Sequence, residues 1–206
     1  TAKSLIISGL AKLNNKPLFI VVPTMEEAGR WYSLLNEMGW KYSYIYPTSE
    51  VSPYEKAETI SEIAWGQLQV IADIIGNKEL DKTVIVATER SLQPHLPSPT
   101  LFKKYSIQLL KGLEINIDEL SLSLSKIGYK RENNTDQEGT YSIRGDIFDI
   151  YPVSSELPIR IELFGDIIEK IREFDPITQR SLDEIDHIII PPTSFNPLIT
   201  EELRKI

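Results

Sequence analysis

The first half of the chain contains two short, nearly continuous runs of apolar residues, most of them β-branched. Leu18–Val22 reads LFIVV and Thr83–Thr88 reads TVIVAT. Runs of this kind are typical of strands covered on both faces, as in a parallel sheet that has helices on either side. We therefore expect the first half to fold around such a sheet, with Leu18–Val22 buried on both faces.

The residues around these runs predict helices that connect the strands. Thr24 and Glu27 form a capping box at the start of a helix that ends at Gly39, and a further strand is expected at Tyr42–Tyr46. Apolar residues recur at helical spacing in two segments: Ala28, Trp31, Leu34, Leu35 and Met38, then Ile60, Ile63, Ala64, Leu68, Ile71, Ile74 and Ile75. Alternating strands and helices favour a parallel α/β domain with right-handed crossovers.

The pattern changes after a connector rich in proline (Pro94, Pro97 and Pro99). A short helix with Asp118 as its cap is expected first, and then a polar loop. Runs typical of strands follow at Tyr141–Tyr151, Ile159–Phe164, Ile167–Phe174 and about 185–190. We predict one α/β domain over residues 1–105 and a smaller α+β domain with an antiparallel sheet over residues 106–192.

The acidic excess of the chain lies in the second predicted domain. The net charge is −8; residues 106–192 hold 9 basic and 17 acidic residues, whereas residues 1–105 hold 11 of each. Nucleic-acid backbones are bound by clustered Lys and Arg, so this domain is not expected to bind nucleic acid by itself. The sequence has no Cys, and His95 and His187 lie too far apart for a ligand motif, so no metal site is expected.

Motifs that carry catalysis are missing from the sequence. A Walker loop needs glycines and a Gly-Lys-Ser/Thr step, whereas the segment before the first strand, residues 5–16, has one glycine and reads as a plain helix. Asp183–Asp186 (DEID) precedes an apolar run instead of following one, which favours a solvated turn over a magnesium site. No Gly-x-Ser-x-Gly nucleophile motif is present. We expect no enzymatic activity in this chain. With no apolar run of membrane-spanning length and no signal peptide, we expect no membrane association and a cytoplasmic location.

One strand of the second domain has the composition of a binding surface. In Ile159–Phe164, the period of two places three aliphatic side chains on one face, and Arg160, Glu162 and Phe164 on the other. If the aliphatic face meets the core, Arg160 and Phe164 point outward together, as in an interface hot spot. The alternative is that Phe164 packs under a neighbouring loop and Arg160 pairs with Glu162.

The string from Arg144 through Ser181 resembles a known signature. It contains RGD at 144–146, DIYP at 149–152, PIRIE at 158–162, FGD at 164–166, IR at 171–172 and FD to QRS at 174–181. The order and spacing of these motifs resemble those in domain 2 of the excision-repair protein UvrB and of the transcription-repair coupling factors. The upstream YPTSE at 46–50 and PYE at 53–55 are similar to the coupling factors' counterpart, so the resemblance covers nearly the whole chain.

Two departures distinguish these relatives. UvrB has a Walker loop and a Tyr-rich hairpin that clamps damaged DNA; this sequence lacks the loop, and its connection over residues 47–65 is too short for the hairpin. The chain therefore resembles the coupling factors' N-terminal UvrB-like module. That resemblance implies a degenerate RecA/UvrB-like domain 1a over residues 1–105, domain 2 over residues 106–192 and the start of a domain 1b-like return segment over residues 193–206.

The resemblance also implies a function for the second domain. Domain 2 of this family binds UvrA, and the family's contact residues correspond here to Arg144, Arg160 and Phe164; the neighbours of Arg144 leave open which face of the sheet it occupies. No cofactor is expected in this chain. In the full-length family, ATP and Mg, DNA and RNA polymerase are bound by later domains, which can also mask the UvrA surface. The alternative is a UvrB-type, nucleotide-dependent domain that binds damaged DNA.

Overall fold

The computed structural model describes residues 2–48, 57–77, 79–92 and 97–198, with the backbone alone described over 57–61. It divides into two compact units, residues 1–96 and residues 97–206. Our sequence boundary at residue 105 differs from this division. The helix that ends at Tyr105 falls in the second unit, and Tyr105 packs against that unit's core. His95, residues 49–56 and residues 199–206 lie outside the described residues.

Unit 1 is a three-stranded parallel sheet with helices. Its elements are α1 (Ala2–Leu13), β1 (Leu18–Val22), α2 (Met25–Glu37), β2 (Tyr42–Tyr46), α3 (Ala57–Gly76) and β3 (Thr83–Thr88), with short 3₁₀ turns at Leu80–Lys82 and Arg90–Leu92. The strand order is β1-β3-β2, and both pairs are parallel. Thr24 caps α2 by accepting a hydrogen bond from the backbone N–H of Glu27. The predicted α/β order is confirmed for these elements.

The prediction that β1 is buried on both faces is wrong. Leu18, Ile20 and Val22 pack against α2, but Phe19 and Val21 are about half exposed on the opposite face. On that face the described side chains of α3 pack against β2 and β3. A run of apolar residues shows that a strand can be covered on both faces, but it does not show that a neighbouring element covers each face.

Helix α1 presents its large apolar side chains outward. Ser4 and Ser8 are buried, and Nε1 of Trp40 donates to Oγ of Ser8 at 2.8 Å. The exposed side of the helix carries Leu5, Ile6, Ile7, Leu10 and Leu13. These five residues form an exposed apolar surface of unit 1, which we call the α1 surface.

Unit 2 contains a long antiparallel sheet. Its elements are α4 (Pro99–Tyr105), β4 (Ile107–Leu110), α5 (Ile117–Lys126), β5 (Lys130–Arg131), β6 (Thr140–Arg144), β7 (Ile147–Tyr151), β8 (Ile159–Phe164), β9 (Ile167–Phe174), β10 (Ser181–Glu184) and β11 (His187–Ile190). The order β10-β9-β8-β7-β6-β5 is antiparallel except for the short parallel pair of β5 and β6. Strands β4 and β11 form a separate antiparallel pair. The predicted meander with an attached helix is confirmed.

Three details of unit 2 differ from the sequence predictions. The run Tyr141–Tyr151 is two strands joined by a two-residue turn, Gly145–Asp146, in which Gly145 has a φ of 59° that favours glycine. The cap of α5 is Asn116, whose side chain accepts from the N–H groups of Asp118 and Glu119, so Asp118 is not the cap. Strands β4, β5 and β10 were not predicted, because short or polar strands carry little periodicity.

The core of unit 2 lies on one face of the six-stranded sheet. The side chains that face it come from four strands: Tyr141, Phe148, Ile150, Ile159, Ile161, Leu163, Ile168 and Ile171. Leu120 and Leu124 of α5 join this cluster, and the rings of Tyr141 and Phe148 stack at 5.7 Å. The period of two therefore places the intervening side chains of these strands on the opposite face.

Two features are absent from the residues that the structure describes. No helix there is long and apolar enough to cross a membrane. Within the same residues, no group of three or more His, Asp or Glu side chains could hold a metal ion.

Candidate partner-binding surface

A row of polar side chains crosses the face of the sheet opposite the core. Ser142 of β6 pairs with Asp149 of β7, Asp149 pairs with Arg160 of β8, and Arg160 pairs with Arg172 of β9. Directly opposed residues in antiparallel strands have close Cβ atoms, so this register brings Asp149 and Arg160 together.

The carboxylate of Asp149 is the centre of this row. Oδ1 accepts from Nε of Arg160 at 2.8 Å, and Oδ2 accepts from Nη2 of Arg160 at 2.9 Å. Oδ2 also accepts from Nη2 of Arg144 at 3.2 Å. Asp149 is only 1% exposed, so these three charge-assisted bonds replace the water it has lost. We call Asp149, Arg144 and Arg160 the Asp149 cluster.

Arg160 points away from the core, as the sequence predicts, but it is held on several sides and is not freely exposed. Its side chain is 16% exposed, its guanidinium lies 4.5 Å from the centroid of the Phe174 ring, and it donates to the carbonyl oxygen and to Oε1 of Gln179. The hydrogen bonds to Asp149 raise the pKa of Arg160. The alternative pairing with Glu162 is not formed, because Glu162 accepts from Arg172 at 3.4 Å.

A tight turn after β9 places Gln179 beside Arg160. Oδ1 of Asp175 accepts from the backbone N–H groups of Ile177 and Thr178 at 2.8 and 2.9 Å, and these bonds lower the pKa of Asp175. Gln179 has a φ of 60°, which reverses the chain so that its carbonyl faces the sheet. The turn thus completes the ring of acceptors around Arg160.

Phe164 lies at the far end of the same face and is 78% exposed. It pairs with Ile167 across the Gly165–Asp166 hairpin turn and is a diagonal neighbour of Ile147. Both isoleucines are partly exposed. We call Ile147, Phe164 and Ile167 the apolar patch. No loop of the described residues covers Phe164, so the alternative in which it packs under one is wrong.

The register of β6 and β7 places Arg144 on this face as well. Arg144 pairs with Ile147, its side chain is 51% exposed, and it reaches the Asp149 carboxylate. The structure therefore brings the three predicted residues onto one face, with Arg144 between the apolar patch and the buried carboxylate. Sequence reasoning missed Asp149 as part of the site, although an acidic residue inside the apolar run IFDIY (147–151) was a usable signal.

Comparisons with known proteins assign this region to a family. Residues 107–195, which include the Asp149 cluster and the apolar patch, match the model of the UvrB interaction domain. The chain is therefore similar to a UvrB-like module, and we call it the module. This confirms the resemblance that the motifs indicate.

Curated relatives of two kinds are similar to the module over most of its length. The transcription-repair-coupling factor of Bacillus subtilis (strain 168) is 32% identical over 193 residues, covering 93% of this chain and 16% of the relative. That of Haemophilus influenzae is 29% identical over 196 residues, covering 95% and 17%. The UvrABC system protein B of Bacillus subtilis (strain 168) is 31% identical over 219 residues, covering 100% and 33%. The chain thus spans between about a sixth and a third of these relatives.

Proposed function

We propose that the module is a non-catalytic docking part of a transcription-repair-coupling factor that recruits UvrA through the second face of its unit 2 sheet. The observation that carries the proposal is the placement of the apolar patch beside the Asp149 cluster on a sheet face that has no covering helix in the described residues. This face lies within the residues that match the UvrB interaction domain.

The composition of this face is that of a protein-binding site. Interface hot spots are enriched in aromatic residues and Arg, and an exposed aromatic ring surrounded by smaller apolar groups is their usual anchor. Phe164 contributes little to the core because most of its surface is in solvent. Arg144 offers its remaining N–H donors to a partner carboxylate beside that anchor.

Alignment lengths support a coupling factor over UvrB. The alignment with the Bacillus subtilis coupling factor covers 93% of the chain in 193 positions, so it contains almost no gaps in this chain. The match to UvrABC system protein B needs 219 positions for a chain of 206 residues, so UvrB carries insertions that are absent here. Such insertions are expected if the DNA-clamping hairpin is missing from this chain.

The longer protein would supply the remaining activities. We place an ATP- and Mg-dependent DNA motor and the RNA polymerase contact in its other segments, outside these residues. For the whole protein we propose a cytoplasmic location. A later segment that covers the apolar patch would keep the module from binding UvrA until it moves away.

Calorimetric titration of the purified module with UvrA tests the proposal. We expect the unaltered module to bind and Phe164→Ala to lose most of the affinity. The matched control is Leu122→Ala, which removes an exposed side chain from α5 in the same unit. Equal affinity of the Phe164 variant and the parent, with folding intact, would exclude this surface.

A second candidate function is UvrB-type, nucleotide-dependent binding of damaged DNA, which the match to UvrABC system protein B favours. It predicts heat of binding with ATP and Mg, and DNA affinity that falls steeply with salt. The sequence has no Walker loop and residues 106–192 are acidic, so we expect flat titrations with both ligands. Measurable binding of either ligand would favour this second function.

A further inference from the structure

Asp149 is a buried carboxylate in an unusual position within its strand. Its chain neighbours, Phe148 and Ile150, are fully buried in the core, while Asp149 faces the other side of the sheet and is 1% exposed. Burial of a carboxylate is costly unless donors and opposite charges compensate it. Here two arginines do so, and both lie on the sheet face that the proposed function assigns to the partner.

The two arginines are bound to this carboxylate in different ways. Arg160 is nearly saturated, since Nε and Nη2 bond to Asp149, and Nη1 and Nη2 bond to Gln179. Arg144 makes one bond to Asp149 through Nη2, and half of its side chain remains in solvent. A guanidinium has five N–H donors in a rigid fork, so fixing one end of Arg144 aims the others outward.

We propose that Asp149 is a positioning residue of the docking surface: it holds Arg144 and Arg160 beside the apolar patch so that Arg144 meets an acidic group of the partner without first being ordered. This inference rests on the proposed function. Ordering a long side chain on binding weakens association, and a side chain that is already fixed avoids that loss. Asp149 itself does not touch the partner.

The sign of the effect of Asp149→Asn separates positioning from simple charge. The substitution removes a negative charge next to two arginines, so charge alone predicts tighter binding of an acidic partner. Positioning predicts the opposite, because the amide group turns a donor toward the arginines and releases them. We expect binding of UvrA to weaken about tenfold, as expected when two side chains must be ordered on binding.

A double-substitution cycle tests whether Asp149 acts through Arg144 and Arg160. In a module that carries Arg144→Gln and Arg160→Gln, adding Asp149→Asn should cost no further affinity. A purely structural role predicts the same loss in both backgrounds. Circular dichroism checks that each variant is folded before it is titrated.

A measurement on the unaltered module covers the case in which Asp149→Asn fails to fold. ¹⁵N relaxation of the arginine side chains should show that Arg144 is ordered in the free module. Its order parameter should be close to that of Arg160 and well above that of the exposed Arg180. A mobility of Arg144 equal to that of Arg180 overturns the inference. Loss of binding in Phe164→Ala together with unchanged or tighter binding in Asp149→Asn overturns it while leaving the proposed function intact. An unaltered module that does not bind UvrA removes both.

Discussion

Each unit of the module exposes an apolar surface, and the two surfaces are built differently. The α1 surface of unit 1 has five large apolar residues, whereas the apolar patch of unit 2 has three. In unit 1 the nearby polar groups serve the fold: Ser8 bonds to Trp40, and Lys12 donates to the carbonyl oxygens of Met38 and Gly39. In unit 2 charged groups share the face of the patch and are fixed by a buried carboxylate.

This difference shows why apolar area by itself is a poor guide to a specific site. Exposed apolar area favours contact with many surfaces, but oriented charges beside an anchor select one partner and one orientation. By this criterion the smaller patch in unit 2 is the better candidate for specific docking. The following predictions test the comparison, beginning with the largest expected effect.

Arg160→Ala should destabilise unit 2 and leave unit 1 unchanged. It removes the bidentate partner of a carboxylate that is 1% exposed and the cation that lies over Phe174, and breaking a buried pair in this way costs about 3 kcal/mol. All three tryptophans, Trp31, Trp40 and Trp65, lie in unit 1, so their fluorescence follows unit 1 alone, whereas far-ultraviolet circular dichroism follows both units.

In urea, the dichroism transition of unit 2 should therefore move to lower denaturant concentration while the fluorescence transition stays in place. Leu10→Ala in α1 is the matched control, because it removes an exposed side chain and should shift neither transition by much. An unchanged dichroism transition in the Arg160 variant would mean that the Asp149 cluster adds nothing to the stability of unit 2.

Phe164→Ala should reduce binding without reducing stability. The ring is mostly in solvent, so its removal spares the core, but loss of a hot-spot anchor costs about 2 kcal/mol, or roughly 30-fold in affinity for UvrA. Leu10→Ala should bind as the parent does, although it also removes an exposed apolar side chain. Equal losses in the two variants would show that apolar area, and not the built site, determines binding.

The sequence predicted part of this surface, and what it missed depended on strand register. Period-two alternation was enough to place Arg160 and Phe164 on one face of β8. The pairing of Asp149 with Arg160 depends on how β7 and β8 align across the connection at residues 152–158, which no local pattern specifies. The face of the sheet on which Arg144 lies could be assigned only once the Gly145–Asp146 turn was known to split the run Tyr141–Tyr151 into two strands.

Prediction of the fold from the sequence was limited in the same way. Capping and periodicity located α2, but they could not show that β1 lies at an edge of the sheet with Phe19 and Val21 uncovered. The burial of Arg160 likewise comes from Phe174 and Gln179, which are distant in sequence. Local rules predict elements and faces, whereas exposure depends on which elements pack together.

Arg144→Gln should weaken binding of UvrA by about tenfold, or ~1.4 kcal/mol, and this loss should shrink at high salt. The side chain is half exposed, so its charge acts mainly on the partner and unit 2 should stay folded. Arg180→Gln, an exposed arginine in the turn before β10, is the matched control and should bind as the parent does. A loss that is the same at low and high salt would argue against an ion pair with the partner.

Asp73 of unit 1 offers a contrast with Asp149, because its carboxylate is partly buried and burial raises its pKa to about 6 from a usual value of 3.8. Between these two pH values the unfolded chain loses the proton and the folded chain keeps it, so the free energy of unfolding falls as pH rises from about 4 to 6. Asp73→Asn should remove this fall and stabilise unit 1 at pH 7, on the order of 1 kcal/mol or less once partial exposure is allowed for. Urea unfolding followed by tryptophan fluorescence at pH 4.5 and 7 measures the change. If the unfolding curves of parent and variant respond identically to pH, burial of Asp73 does not limit the stability of unit 1. The cost of burying a carboxylate would then be compensated in both units.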